Sequence, residues 1–167
     1  MKKEYELQLV KKFPVIFQEY GGDMRETCMH WGMECGDGWY SLIYSLCADI
    51  TSLIGDKDIK VIAAQVKEKF GGLRFYYDID APDAIINKIN YVVSQWMFKR
   101  KWGVQYWKII HFKRKFYKTT EEKIREIISD AEYKSYEICE RCSQPGKINK
   151  EGYWKVTLCD NCRDKTK

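Results

Sequence analysis

Four cysteines in the stretch YEICERCSQPGKINKEGYWKVTLCDNC, residues 136–162, form two Cys-x-x-Cys pairs sixteen residues apart. Two thiolates at this short spacing reach one ion together, at about 2.3 Å each. Cys139, Cys142, Cys159 and Cys162 therefore carry the pattern of a four-thiolate zinc ribbon. Four sulfurs complete a tetrahedron and leave no open position for water or substrate, so the expected zinc is structural and no catalytic residue is assigned. A rubredoxin-type iron centre or two redox disulfides are the alternatives that the same spacing admits. Pro145-Gly146 and Glu151-Gly152 supply turns that fold the intervening loop back, and YWKVTL supplies a strand leading to the second pair.

Other chemistry is thinner. Cys28, His30, Cys35 and Cys47 form a second group of ligand types, but their spacing matches no closed metal site, and simple buried or loop thiols are the expectation. The chain has two histidines, His30 and His111, and no nucleophile-elbow or phosphate-loop string. Asp37, with Glu68 or Gln65-x-Lys67, is similar to the acid and acid-x-Lys arrangement of metal-dependent nucleases. The plainer expectation makes Asp37 a helix cap and Glu68 a rim residue, because cations dominate that polar face and would repel Mg²⁺.

Binding surfaces are better marked. The segment FKRKWGVQYWKIIHFKRKFYK, residues 98–118, interleaves aromatic side chains with cations; Lys99, Arg100, Lys101, Trp107, Lys108, Lys113, Arg114 and Lys115 are its candidate contacts. Cations neutralise phosphates and aromatic faces stack on unpaired bases, so the mixture suits nucleic acid. It also suits an anionic membrane surface, or a helix whose aromatics pack inward. Lys67, Lys69 and Arg74 would add a second cationic patch. From Ala84 to Thr120 there are nine basic and no acidic residues, against 20 basic and 24 acidic elsewhere. A mildly acidic body with one basic segment points to a polyanionic partner more than the net charge of +5 does.

The elements that must position these groups follow from periodicity. Leu7, Val10 and Phe13 place a helix over residues 3–19, disturbed at Pro14. The Gly-rich stretch 19–39 reads as a loop. Leu42, Ile43, Leu46, Ile50 and Leu53 define a helix over Trp39–Ile54, stopped by Gly55. AAQVKEKFGGLRFYYD reads as a hairpin turning at Gly71-Gly72. Val66, Glu68, Phe70, Leu73, Phe75 and Tyr77 then share the core face, and Gln65, Lys67, Lys69, Arg74 and Tyr76 the other. A second helix opens near Asp80-Ala-Pro-Asp83 with an Ile/Val stripe and ends near KRKWG. Thr119 and Glu122 form a capping box for a helix that gathers Ile124, Ile127, Ile128, Ala131, Ser135 and Ile138 on one side before Cys139.

At 167 residues, 45% apolar, the chain is long enough for one domain with a small appendage. Its longest uncharged run, Gly38–Ala48, is too short to cross a bilayer, which takes roughly 20 residues. The first residues lack a secretory pattern, and seven cysteines argue against a full disulfide framework. A reducing, cytoplasmic setting is therefore expected.

The strings ECGDGWYSLIYSLC, QVKEKFGGLRFYY and AEYKSYEICERCSQPG…GYWKVTLCDNC together resemble those of a family of small, uncharacterised proteins of bacteriophages and prophages. The resemblance covers roughly residues 33–80 and 130–163. It implies a bacterial host cytoplasm and a hairpin paired with the ribbon, with residues 88–120 as an elaboration. The combined expectation is an α+β protein: a body over residues 1–138, a small hairpin-containing sheet on three or four helices, and a zinc ribbon over 139–167 packed on it. The expected function is non-enzymatic nucleic-acid binding through the basic aromatic face. A phage effector that binds a host enzyme or an antiphage defence protein is the second expectation, and a cryptic metal-dependent nuclease the third.

Overall fold

A computed structural model of the chain describes residues 1–80, 119–149 and 154–165. The segment holding the expected second helix and Lys99, Arg100, Lys101, Trp107, Lys108, Lys113, Arg114 and Lys115 lies outside the described residues, as does the Glu151-Gly152 turn. Among the described residues the fold is α+β. Helices α1 (Lys3–Lys12), α2 (Tyr40–Ile54), α3 (Thr120–Lys134) and the short α4 (Asp160–Asp164) accompany two small sheets. The first has the order β1 (Met33–Glu34), β2 (Lys60–Lys69), β3 (Gly72–Asp80); the second pairs β4 (Lys147–Ile148) with β5 (Thr157–Leu158). No helix among the described residues is long and apolar enough to cross a membrane.

Helix α1 is shorter than its periodicity predicts. Pro14 disfavours the α conformation in the residue before it, and Phe13 leaves the helix at φ −126°, ψ 61°. The buried face is also turned from the expected one. Leu7 is 51% exposed, whereas Glu6 and Leu9 are buried. Glu6 goes inside because its carboxylate has work there: it accepts the Met33 N–H (2.9 Å) and the Tyr20 hydroxyl. Those bonds cover the outer edge of β1, whose Met33 carbonyl accepts from the N-terminal amine (2.9 Å). The stretch expected to be all loop therefore contains a strand, joined parallel to β2 at Met33↔Val66 and Glu34↔Lys67.

The β2–β3 hairpin forms with its turn one residue earlier than predicted. Lys69 pairs with Gly72, so Phe70 and Gly71 are the turn residues, at φ +55° and +80°. Two positive φ angles give a primed turn whose twist matches the strands. Phe70 consequently leaves the core face and is 67% exposed. Glu68 keeps the core face, opposite the buried Leu73, but is only half-buried, with its carboxylate accepting the Gly71 N–H (2.6 Å). The remaining alternation holds: Val61, Ala63, Val66, Leu73 and Phe75 are buried. An irregularity between Ala63 and Gln65 keeps them in phase; one extra residue moves the buried set from odd to even positions.

Helix α3 starts with the predicted reciprocal capping box of Thr119 and Glu122 and buries Ile124, Ile128 and Ala131 against α2 and β3. It also closes the free edge of β3. The Phe75 N–H donates to Glu132 Oε1 (2.9 Å) and the Leu73 N–H to Ser135 Oγ (2.8 Å). An open strand edge is a row of unpaired donors and acceptors, and side chains satisfy it here in place of a further strand. Ser135 is fully buried, so Ser135→Ala strands the Leu73 N–H. A loss of about 1–3 kcal/mol in urea-denaturation stability is expected, with the helix content of the folded protein unchanged by circular dichroism.

Candidate metal centre

Helix α3 runs through a 3₁₀ turn, Ser135–Glu137, directly into the first cysteine pair. The chain then tightens: Ser143 N–H donates to the Cys139 carbonyl (3.0 Å) and Cys139 N–H to the Gln144 carbonyl (2.7 Å). Ser143 sits at φ +63°, a conformation that favours glycine. Its hydroxyl compensates by donating to the Gly38 carbonyl (2.7 Å). The second pair begins at the end of β5, where Cys159 precedes α4 and Cys162 lies in its first turn. Arg163 fastens this pair to the small sheet, donating to the carbonyls of Lys147 (2.7 Å) and Leu158 (3.2 Å).

The four sulfurs meet. The Sγ atoms of Cys139, Cys142, Cys159 and Cys162 all lie within 4.8 Å of one another, and Cys142 and Cys159 are 3.5 Å apart. A tetrahedron with metal–sulfur bonds of about 2.3 Å requires sulfur separations of about 3.8 Å, so the donor set fits one metal ion. Burial works against ionising Cys139, but the N–H groups of Cys159, Arg141 and Cys142 outweigh it and bring its thiol down to about 7. Hydrogen bonds to Cys142 and Cys159 hold Cys162 up at about 12. Crowded thiols resist a second ionisation beside the first; a cation among them reverses that. When bound, the ion would cross-link the end of α3 to the end of the chain.

The centre is built into the body. Gly38 N–H donates to the Glu140 carbonyl (2.7 Å), Gly36 N–H to Glu140 Oε1 (2.9 Å), and the indole of the fully buried Trp39 to the Ile138 carbonyl (3.0 Å). On the other side Glu140 N–H donates to the Thr157 carbonyl (3.0 Å), and the buried Thr157 hydroxyl to the Gly71 carbonyl (2.6 Å). The glycines are steric requirements. A Cβ on Gly38 would stand 2.1 Å from the Cys139 carbonyl oxygen, and one on Gly36 2.3 Å from that of Glu140. A Cβ on Gly72 would strike the Tyr136 ring at 2.4 Å. Gly36, Gly38, Glu140 and Thr157 were not singled out from the sequence. The Gly-x-Gly ahead of a buried tryptophan was the available signal, since it marks close backbone approach.

Of the other predicted groups, Cys28, His30, Cys35 and Cys47 do not gather. Cys47 is fully buried on α2 and burial pushes its thiol up; Cys35 is buried and pushed up to about 12, chiefly by burial. Cys28 is exposed, and His30 Nδ1 lies 2.6 Å from the Gly22 carbonyl. Asp37 accepts the Lys2 N–H (2.7 Å) and pairs with the Lys2 ammonium (3.6 Å), while Glu68 is committed to the hairpin turn. The cysteine set is the one group of three or more ligand side chains that assembles among the described residues.

Lys67, Lys69 and Arg74 share the polar face of the hairpin, each beside an aromatic ring. Lys67 Nζ is 5.5 Å from the Tyr76 ring centre, Lys69 Nζ 5.4 Å from that of Phe70, and the Arg74 guanidinium carbon 5.9 Å from that of Tyr136. Arg74 is the most constrained, donating to the Leu73 carbonyl (2.7 Å) and the Tyr136 hydroxyl (2.8 Å).

Cys142→Ser should drop the metal content from one ion per chain to a small fraction, read by elemental analysis after gel filtration. Gly38→Ala should instead keep the four ligands but lower stability by more than about 3 kcal/mol, measured by denaturant titration, since the two backbones can no longer touch. Comparison with protein-family models, with curated proteins and with solved structures finds no match to the chain.

Proposed function

We propose that Cys139, Cys142, Cys159 and Cys162 hold a structural zinc ion in a phage-encoded, non-enzymatic protein that binds nucleic acid. Zinc suits the site because four thiolates satisfy it without geometric preference or redox change. A closed set of four ligands has no position for substrate, so the ion's task is to hold backbone against backbone. The surface so held is the hairpin.

The observation that carries the binding reading is the alignment of Lys67, Lys69 and Arg74 on the hairpin's polar face, each beside a ring. Nearby carboxylates are drawn into structural bonds: Glu68 to Gly71 and Glu140 to Gly36. Glu34, exposed beside Lys67 on the β1 side, accepts from Gln65 Nε2 (3.2 Å), so cations outnumber carboxylates three to one along this row, and cations are what phosphate contacts need. The cations of residues 99–115 belong to the same reading through the charge asymmetry of the sequence.

Binding to a mixed-sequence oligonucleotide, followed by fluorescence anisotropy, should weaken steeply between 50 mM and 200 mM salt, roughly tenfold or more for a handful of phosphate contacts. Lys67→Glu with Lys69→Glu should reduce it further, as should reversal of Lys113, Arg114 and Lys115. Binding indifferent to both salt and these changes refutes the reading. A zinc-free preparation of full stability would refute the structural role of the ion.

A further inference from the structure

The hairpin tip carries a residue that its backbone does not want. Both turn positions have positive φ, where asparagine followed by glycine is the favoured pair. Glycine occupies the second, but the first is Phe70, at φ +55°. A bulky L-residue is uncommon there and strained. Nor does burial compensate, because the ring is 67% exposed. Packing of Gly72 against the Tyr136 ring sets the turn at Phe70-Gly71, but it calls for no aromatic residue at position 70 and no exposed ring, and strained residues of this kind concentrate where a surface is used.

The surroundings indicate the use. Lys69 stands over the Phe70 ring; the next pairs along the same face are Arg74 with Tyr136 and Lys67 with Tyr76. Tyr76 is itself exposed. The register sets this order, with Lys69 opposite Gly72, Lys67 opposite Arg74 and Gln65 opposite Tyr76. The result is a row of alternating cations and rings about five strand residues long, roughly 17 Å. Past the tip, the ribbon continues the apolar surface. Ile148, partly exposed, lies so close that a Cβ on Gly71 would approach its Cδ1 to 2.9 Å. Asp78 and Asp80 lie at the opposite end of β3, and Glu34, beside Lys67 on the β1 side, accepts from Gln65 Nε2 (3.2 Å).

We infer that this face is a stacking platform for single-stranded nucleic acid, with the Phe70 ring receiving an unpaired base and Lys67 and Lys69 the flanking phosphates. The inference rests on the nucleic-acid reading above and sharpens it, from a polyanion to a strand whose bases are free. Duplex buries its base faces against one another and offers an exposed ring nothing to stack on, whereas every unpaired base presents a π-face. The metal centre has a part in this. Through Thr157 and the Gly71 carbonyl it holds the turn that displays Phe70.

The test compares stability with binding on the intact, metal-loaded chain. Phe70→Asn places the favoured residue in the turn, so its melting temperature should equal or exceed that of the parent. Its affinity for an oligo-dT or oligo-rU strand should nonetheless fall about tenfold, the order of one lost stacking contact. The parent should prefer these strands to a duplex of equal length. Phe70→Tyr, which keeps a ring, should bind as the parent does. If Phe70→Asn binds like the parent while Lys67→Glu with Lys69→Glu loses binding, the stacking role is wrong and the phosphate-contact reading stands. If the parent binds neither single strands nor duplex, both fail, and the exposed ring belongs to a protein contact.

Discussion

The structure depends on two stretches of backbone being in direct contact. The carbonyls of Cys139 and Glu140 lie against Gly36 and Gly38 with no room for a Cβ on either glycine. Peptide groups brought this close must satisfy one another, and they do: Gly38 N–H reaches the Glu140 carbonyl, Gly36 N–H the Glu140 carboxylate, and Ser143 returns a bond to Gly38. Contacts of this kind tolerate little displacement, because each buried donor left unpaired costs about as much as the bond contributes, or more. They therefore require the Cys139–Ser143 segment to hold one shape. A ribbon of about thirty residues has too little apolar surface to hold a shape unaided, and small metal sites supply folding energy for that reason.

This contact explains why three separated strings are joined. The Gly-Asp-Gly-Trp segment supplies the floor, the first cysteine pair lies on it, and the hairpin turn closes the far side through Thr157 and Gly71. Trp39 is the keystone of the hydrophobic side: its ring is wholly buried in the core while its indole N–H meets the Ile138 carbonyl one residue before the first ligand. The cysteine cluster, the core and the hairpin tip are thus joined by direct contacts. Two hydrogen bonds, from Glu140 to Thr157 and from Thr157 to Gly71, join the cysteine cluster to the tip.

The sheet illustrates a second economy. Its three strands have two outer edges, and neither is left bare over the central residues. Glu6 and the N-terminal amine occupy the β1 edge, while Glu132 and Ser135 occupy that of β3. Side chains from α1, from α3 and from the turn after it thereby cover strand edges that would otherwise offer unpaired donors and acceptors. This also explains an inversion of the usual pattern, a buried glutamate beside an exposed leucine on the first helix. Position 6 is chosen for hydrogen bonding, and the apolar stripe yields to it.

Much of this was legible in the residues themselves. The cysteine spacing determined which four sulfurs could share an ion, since two intervening residues set the reach of each pair. The capping box, the α2 stripe and the alternation in the hairpin likewise stand as their local patterns dictate, because capping and amphipathicity are decided within a few residues. The turn register was less accessible. Gly71-Gly72 satisfies a primed turn locally, yet the chain uses Phe70-Gly71 and spends the second glycine on passing the Tyr136 ring. The parallel strand at Met33–Glu34 was hidden for a similar reason: two residues carry no period, and only the partner strand defines them. Tertiary structure alone decided that the ribbon would be seated on Gly36 and Gly38 and would reach the hairpin tip, because closeness between distant backbones is a property of the assembled chain. Sequence supplied the ligands and the local elements, and long-range steric fit determined what they hold in place.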